Sequence, residues 1–183
     1  MSFFLLLLQP MWFFFPAGLA NIAASVSKKV PLSDVPVDLD NKFLGQPLFG
    51  SHKTYRGMFF GVLVGIFTFY IQQIVYKYQF IQEISLFNYD EASPAIGLAL
   101  GFGAVFGDLI KSFFKRRNGI APGKPWTPFD QIDWILGAAL LTLPFINVSV
   151  SGLFLGIALI LAFFFHLIFK RIGYWMGIES API

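Results

Sequence analysis

Long stretches without any charged side chain dominate this sequence. Residues 1–27, 57–76, 92–107 and 134–169 contain no Lys, Arg, Asp or Glu. A helix that crosses a bilayer needs about 20 mostly apolar residues, so the last stretch is long enough for two such helices. Pro144 and the polar residues that follow it divide that stretch near its middle. The sequence therefore predicts five transmembrane helices, near residues 3–26, 57–77, 94–114, 129–147 and 150–170.

The composition favours a membrane protein. Only 13% of the 183 residues are charged, whereas a soluble domain carries roughly 25%. The first stretch lacks the basic residues that open a signal peptide, so we expect it to be retained as a helix. The absence of cysteine excludes disulfides, thiolate metal sites and cysteine nucleophiles. We expect an all-α integral membrane protein in which residues 1–183 form a single membrane-embedded domain.

The basic residues predict how the helices are oriented. Of the 13 Lys and Arg residues, all but Lys77 fall on one side of the five predicted helices. By the positive-inside rule that side faces the cytoplasm, which places the N-terminus outside and the C-terminus in the cytoplasm. The longest loops, residues 28–56 and about 115–128, lie on the same side. We therefore expect any chemistry at the cytoplasmic face of the cell membrane.

Three carboxylates lie near the cytoplasmic ends of two consecutive predicted helices. Asp130 and Asp133 fall in the first turns of the fourth helix, three residues apart and so on one face. A helix dipole favours an aspartate at the N-terminus, so Asp130 alone is explained as a cap. The dipole disfavours Asp108, near the C-terminal end of the third helix. Because ionisable groups at membrane depth usually mark function, we interpret the three as a site.

Basic side chains accompany these carboxylates. One polar stripe at helical spacing runs along the third helix: Asp108, Lys111, Ser112 and Lys115. The run Lys115–Arg117 supplies phosphate partners, although such a run is also a topology signal or a contact for anionic lipid. Magnesium is typically bound by one or two carboxylates together with substrate phosphates. The pattern predicts a Mg²⁺–phosphate site whose metal ligands are Asp108, Asp130 and Asp133.

The loop before the second helix is rich in glycine and basic residues. Residues 45–57 have the sequence GQPLFGSHKTYRG. This is not a Walker A motif, because two extra residues separate Gly50 from Lys53 and Thr54 and no predicted strand precedes the loop. Free N–H groups at a helix N-terminus bind phosphate, which makes Gly50, Lys53 and Thr54 candidates. The same glycines and basic residues are also explained by an ordinary turn whose charges only set the orientation of the protein in the membrane.

Glycines at four-residue spacing predict close packing of helices. The pairs are Gly61 and Gly65, Gly97 and Gly101, and Gly103 and Gly107. Neither His52 nor His166 has a second histidine or carboxylate spaced for a metal or nucleophile site, so we expect His166 to be a helix-contact residue.

Taken together, the motifs resemble those of the CDP-archaeol synthase family, which is related to the CDP-diacylglycerol synthases. The matching segments, in chain order, are residues 16–21, 36–38, 49–57 and 107–120, then Pro122, Gly123, Pro125 and residues 130–133. Diacylglycerol enzymes carry a His-Gly-Gly element before the paired aspartates. This chain has Pro-Trp-Thr-Pro-Phe at residues 125–129, which favours the archaeal branch.

The resemblance implies transfer of CMP from CTP to an unsaturated archaetidic acid, with Mg²⁺, giving CDP-lipid and pyrophosphate. The alternatives are phosphatidate as the lipid, a small ion-coupled transporter and a non-catalytic scaffold. The candidate catalytic residues are Asp108, Lys111, Asp130 and Asp133. The candidate substrate-binding residues are Asn21 and Asp38, through the resemblance only, and Gly50, Lys53, Thr54, Ser112, Lys115 and Arg116. We expect CTP, a lipid phosphate and the bilayer as partners, and no nucleic acid; the oligomeric state stays open.

Overall fold

The computed structural model describes residues 3–121, 124–146 and 152–176, and these ranges are mainly helical. Their α-helices are α1 (Phe3–Val26), α2 (Tyr55–Val75), α3 (Gln79–Ile84), α4 (Ala95–Arg117), α5 (Phe129–Thr142) and α6 (Gly152–Trp175). Two 3-10 turns cover Ser27–Lys29 and Leu143–Phe145, and a small antiparallel hairpin pairs β1 (Lys42–Phe43) with β2 (Gln46–Pro47). The predicted helical class is confirmed. Pro122 and Gly123 of the family motif lie outside the described residues.

Four of these helices are long and apolar enough to cross a membrane. They are α1 with its 3-10 extension, α2, α4 and α6. The predicted fourth helix, α5, has 14 residues, or about 21 Å of length, less than the hydrocarbon core of about 30 Å. It ends at Thr142 rather than at residue 147 because Pro144 cannot donate a helical hydrogen bond. Residues 147–151, the predicted break before the last helix, lie outside the described residues.

The first two helices meet at one end of the bundle. Thr54 caps α2 by accepting a hydrogen bond from Gly57 N at 3.2 Å, and a Cβ on Gly57 would lie 3.3 Å from Ala24 O on α1. The end of α4 and the beginning of α5 lie at the same end of the bundle, which we call the site face. The first loop, residues 30–54, joins α1 to α2 across it.

The buried side chain of Arg56 holds the beginning of the first loop in place. The guanidinium of Arg56 donates to Val30 O at 3.0 Å and to Leu32 O at 2.7 Å. It also forms an ion pair with Asp34 at 2.9 Å. Arg56 therefore orders the loop, whereas the charge pattern of the sequence indicates only its role in orienting the helices in the membrane.

Glycines bring α4 against α2. A Cβ on Gly97 would lie 2.8 Å from Phe69 Cβ, and a Cβ on Gly101 would lie 3.0 Å from Val62 O. Real Cβ atoms essentially never approach other atoms so closely, so the helices meet at a separation that only glycine allows. The predicted close packing at this glycine pair is confirmed.

A second group of glycines brings α4 against α5. A Cβ on Gly103 would lie 2.7 Å from Ala138 Cα, and a Cβ on Gly107 would overlap the backbone of Asp133. Gly137 on α5 meets Gly107 from the other side. This contact sets the end of α4 directly beside the first turns of α5, which carry the paired aspartates.

Gly107→Ala is expected to lower both the melting temperature in detergent and the rate of turnover. The added methyl group would meet backbone, so the helices must separate because no side chain can rotate away. Gly156→Ala is the matched control, since a Cβ there meets open space. A Gly107→Ala protein as stable and active as the Gly156→Ala protein would contradict this account of the α4–α5 contact.

Candidate active site

Three aspartates surround one lysine where α4 ends and α5 begins. The ammonium of Lys111 lies 3.0 Å from Asp108 Oδ1, 2.8 Å from Asp130 Oδ1 and 3.0 Å from Asp133 Oδ2. Lys115, one turn further along α4, places its Nζ 2.8 Å from Asp130 Oδ2. The structure thus brings together the four predicted catalytic residues and a predicted phosphate-binding lysine.

The first loop contributes a further cation. Lys53 Nζ forms an ion pair with Asp108 Oδ2, while the Lys53 carbonyl accepts from Val37 N at 2.7 Å. We call the resulting set, Lys53, Asp108, Lys111, Lys115, Asp130 and Asp133, the carboxylate–lysine cluster. Its members come from three separate segments of the chain.

The cluster is largely shielded from solvent. The side chains of Asp108, Lys111 and Asp130 are 20%, 12% and 16% exposed, and Asp133 and Lys115 are buried. Buried charges are costly unless each is compensated. The three carboxylates are balanced here by three lysines, so the loss of any member leaves a charge that the others do not neutralise.

The donor set of the cluster suits magnesium. Carboxylate oxygens are the hard ligands that Mg²⁺ takes in proteins, and all three carboxylates point to one place, the position of Lys111 Nζ. Among the described residues, no three acidic or histidine side chains are arranged to hold a metal ion. The carboxylates thus supply the ligand chemistry of Mg²⁺, while Lys111 Nζ occupies the place where they converge and balances their charge.

Arg116 is a buried cation with unused hydrogen-bond donors. Its side chain lies beside Gly50, where a Cβ would be 3.9 Å from Arg116 Cδ and Nε, and Gly50 has a φ of +98°. Within the described parts of the chain, Arg116 Nε and Nη1 have no hydrogen-bond partner. A guanidinium in this state suits a phosphate, to which it can donate two hydrogen bonds. Ser112, one turn before it on α4, is also buried.

Asp38 orders the turn that carries Gly50. Its carboxylate accepts from Phe49 N at 2.9 Å and from Gly50 N at 3.0 Å. Burial disfavours the ionised form, but these hydrogen bonds outweigh it and hold the pKa of Asp38 below its ordinary value. The Gly50 N–H expected to face phosphate is thus engaged, as is the Thr54 hydroxyl oxygen that caps α2. The cation that the loop brings to the cluster is Lys53.

Arg117 has a structural role, although the basic run at Lys115–Arg117 suggests that it binds phosphate. Its guanidinium donates to Pro47 O at 2.8 Å, Leu48 O at 3.0 Å and Phe43 O at 3.2 Å. It also lies 4.0 Å from the centre of the Phe113 ring. Arg117 therefore ties the hairpin to the end of α4. Sequence separation hid this role, since Arg117 and the hairpin are about 70 residues apart.

An apolar cavity of about 200 Å³ lies between α1, α5 and α6. Its walls include Phe14 and Asn21 of α1, Trp134 of α5, and Ala162 and His166 of α6. The structure places the candidate Asn21 in this lining, together with His166. Trp134, in the wall of the cavity, directly follows Asp133 in the sequence. The sequence did not reveal it because its walls come from distant segments.

Comparison with known proteins identifies the family of this chain. A family model described as CDP-archaeol synthase, CarS-like, matches residues 3–183. The chain belongs to the CDP-archaeol synthase family. The CDP-archaeol synthase of Methanocaldococcus jannaschii is 32% identical over 179 residues, covering 97% of this chain and 98% of the relative. That of Methanosarcina acetivorans is 38% identical over 176 residues, covering 91% and 98%.

A solved structure shares the fold. It is described as an intramembrane enzyme for archaeal membrane lipids biosynthesis, and it matches with a TM-score of 0.72 and 24% identity over 90% of this chain and 94% of that one. The predicted family is confirmed. As a member of the CDP-archaeol synthase family, the chain is a membrane-embedded enzyme of the cytidylyltransferase class.

Proposed function

We propose that the chain transfers CMP from CTP to an archaeal lipid phosphate. A lipid phosphate oxygen attacks the α-phosphorus of CTP, the bond to the β-phosphate breaks, and pyrophosphate leaves. Such in-line displacement requires positioning and charge neutralisation rather than a protein nucleophile. The observation that carries the proposal is the carboxylate–lysine cluster, which joins metal-binding and phosphate-binding chemistry where α4 ends and α5 begins.

Each charged group has a role in this proposal. Lys115 and Arg116, adjacent on α4, would bind the triphosphate, with Lys53 reaching it from the first loop. Arg116 suits this role because it is buried with free donors. Asp108, Asp130 and Asp133 would hold Mg²⁺, which when bound supplies positive charge to the phosphate oxygens. Because Lys111 Nζ lies where these carboxylates converge, it would move aside for Mg²⁺ and remain in the cluster as a counter-charge to them.

The apolar cavity would hold part of the lipid. Its lining is almost wholly hydrocarbon and aromatic, which suits an isoprenoid chain. Trp134 lines the cavity while Asp133, the preceding residue, faces Lys111. A chain lying in the cavity would therefore leave its phosphate beside the cluster, where the α-phosphate of CTP is expected.

Purified protein with labelled CTP, Mg²⁺ and a panel of lipid phosphates tests the proposal. We expect CDP-lipid and pyrophosphate in equal amounts from digeranylgeranyl glycerol phosphate, less product from phosphatidate, and little from glycerol phosphate without chains. Equal use of phosphatidate would support the diacylglycerol alternative. No product from any lipid, by protein with an unchanged melting temperature, would contradict the proposed reaction.

Arg116→Lys is expected to raise the apparent KM for CTP or to lower turnover, since lysine cannot reproduce the paired donors of a guanidinium. Lys53→Ala is expected to act in the same direction. Steady-state kinetics at fixed Mg²⁺ and lipid measure both effects. Lys170→Ala in α6 is the control and is expected to change neither constant by more than a few-fold. Comparable damage in all three variants would favour diffuse positive charge over a local phosphate site.

We also propose that α5 is a fifth crossing and that the site face is cytoplasmic. The basic residues of the first loop, of the end of α4 and of the end of α6 support this orientation by the positive-inside rule, and CTP is a cytoplasmic substrate. Reporter fusions after Lys29, Lys124 or Arg171 are expected to read cytoplasmic, and a fusion near Asn88 external. An external reading at Lys124 would refute both the number of crossings and the side of the site.

A further inference from the structure

The tip of the β1–β2 hairpin presents apolar side chains outward. Phe43 is 50% exposed and Leu44, at the turn, is 81% exposed. Leu44 also has a φ of +52°, a left-handed conformation that disfavours a bulky side chain. The neighbouring Gly45 meets no atom that a Cβ would touch. Nothing in the described part of the chain covers this tip.

The hairpin is held at a defined place, the end of α4. Arg117 donates to the hairpin carbonyls, and its guanidinium lies 5.3 Å from the centre of the Phe43 ring and 4.0 Å from that of the Phe113 ring. The rings of Phe43 and Phe113 are themselves 6.2 Å apart. The tip therefore cannot swing far from the helix without breaking these contacts.

The adjoining surface of α4 is apolar and exposed, which suits a surface that faces lipid. Large apolar residues recur at four-residue spacing along this membrane helix: Leu98, Phe102, Phe106, Ile110 and Phe114. Four of them are exposed in the folded chain. Each is a neighbour of the next on the helix surface, and the row winds around the helix by about 40° at each step. Phe114, the last, packs against Phe113 with ring centres 5.5 Å apart. The apolar surface thus continues from the lipid-facing side of α4 to Phe43 and Leu44.

We propose that the hairpin tip inserts into the bilayer beside α4 and anchors the first loop at the membrane surface. The occupant of this apolar surface is the lipid at the boundary between headgroups and acyl chains, because the tip extends a surface that already faces lipid. Exposed Lys42, next to the tip, suits the anionic headgroups at that depth. A short apolar tip beside a basic residue is the chemistry of interfacial insertion.

The anchor has a consequence for the first loop. The hairpin precedes Gly50 and Lys53 in the same loop, so lipid at one side and Arg117 at the other would hold this segment against the end of α4. This inference rests on the hairpin and the lipid-facing surface, and not on the proposed reaction.

Depth-dependent quenching tests the proposal. Because the chain has no cysteine, Leu44→Cys gives a single site for an environment-sensitive fluorophore. The labelled protein is placed in vesicles of phosphatidylcholine and phosphatidylglycerol that contain shallow nitroxide-labelled lipid. Phe102→Cys, on the lipid-facing side of α4, is the membrane control, and exposed Lys124→Cys is the aqueous control.

We expect the label at position 44 to be quenched by nitroxide lipid several-fold more than the label at position 124, and to be protected from aqueous iodide. Quenching by iodide as strong as at position 124 would overturn the proposal. Protection from both quenchers would also overturn it, since a protein surface would then cover the tip.

A second variant separates anchoring from any effect of the label at the tip. The fluorophore is moved to Lys42→Cys, and spectra are compared with and without Leu44→Asp. We expect Leu44→Asp to reduce nitroxide quenching at position 42 several-fold while the melting temperature in detergent is unchanged, because Leu44 contacts little protein. Equal quenching in the two proteins would contradict insertion of the tip.

Discussion

Asp130→Asn and Asp133→Asn are each expected to lower CDP-lipid formation by more than about 100-fold, the scale of removing one principal electrostatic stabiliser. Asparagine keeps the size and hydrogen-bonding capacity of aspartate but removes the charge. Each carboxylate lies within 3.0 Å of Lys111 Nζ, so each variant also unbalances the cluster. Turnover at saturating CTP and lipid phosphate, with matched detergent and Mg²⁺, measures the effect.

Asp90→Asn is the matched control for this pair. It makes the same chemical change at an exposed position between α3 and α4, at the end of the bundle opposite the site face. We expect near-normal turnover for this variant and folded protein in all three cases, judged by the elution volume in detergent. Near-normal turnover in both Asp130→Asn and Asp133→Asn would leave these residues as structural helix-end carboxylates.

Lys111→Met is expected to abolish turnover and to make the stability of the protein depend on Mg²⁺. Removing one partner of a buried charge network costs about 3–5 kcal/mol, because Asp108, Asp130 and Asp133 would then face one another without the central ammonium. A divalent cation that those carboxylates bind would restore part of this stability. The measurement is the melting temperature in detergent with Mg²⁺ and with a chelator.

Two comparisons make this result specific. Lys170→Met, in α6 outside the cluster, is expected to show the same melting temperature with Mg²⁺ as with chelator. Ca²⁺ is expected to restore less stability than Mg²⁺, since it prefers more ligands than three carboxylates provide. A Lys111→Met protein whose melting temperature does not respond to Mg²⁺ would contradict the assignment of these carboxylates as metal ligands.

Local patterns in the sequence were sufficient for several features. Uncharged stretches predicted the four long apolar helices because the bilayer requires a minimum apolar length. Glycines at four-residue spacing predicted close helix packing at those positions, since that spacing places each pair on one face; which helices meet there came from the structure. The polar stripe beginning at Asp108 and the pair Asp130 and Asp133 predicted facing carboxylates. Their combined order along the chain identified the family.

Short elements and one helix end could not be predicted from local sequence patterns. The hairpin strands have two residues each, too few for any periodicity to show, and α3 has six. The helix predicted near residues 129–147 corresponds to α5 and the 3-10 turn that follows it, because Pro144 interrupts the α-helical hydrogen bonds.

The sequence by itself determined that the chain is a helical membrane protein, where its close helix contacts lie and which family it belongs to. Only the tertiary structure decided what each charged side chain contacts. Lys53 meets Asp108 across 55 residues, Arg116 lies beside Gly50, and its neighbour Arg117 is bound to hairpin carbonyls. Periodicity reports the face on which a side chain lies, whereas a hydrogen bond or ion pair requires an approach of about 3 Å. That approach is set by how distant segments pack.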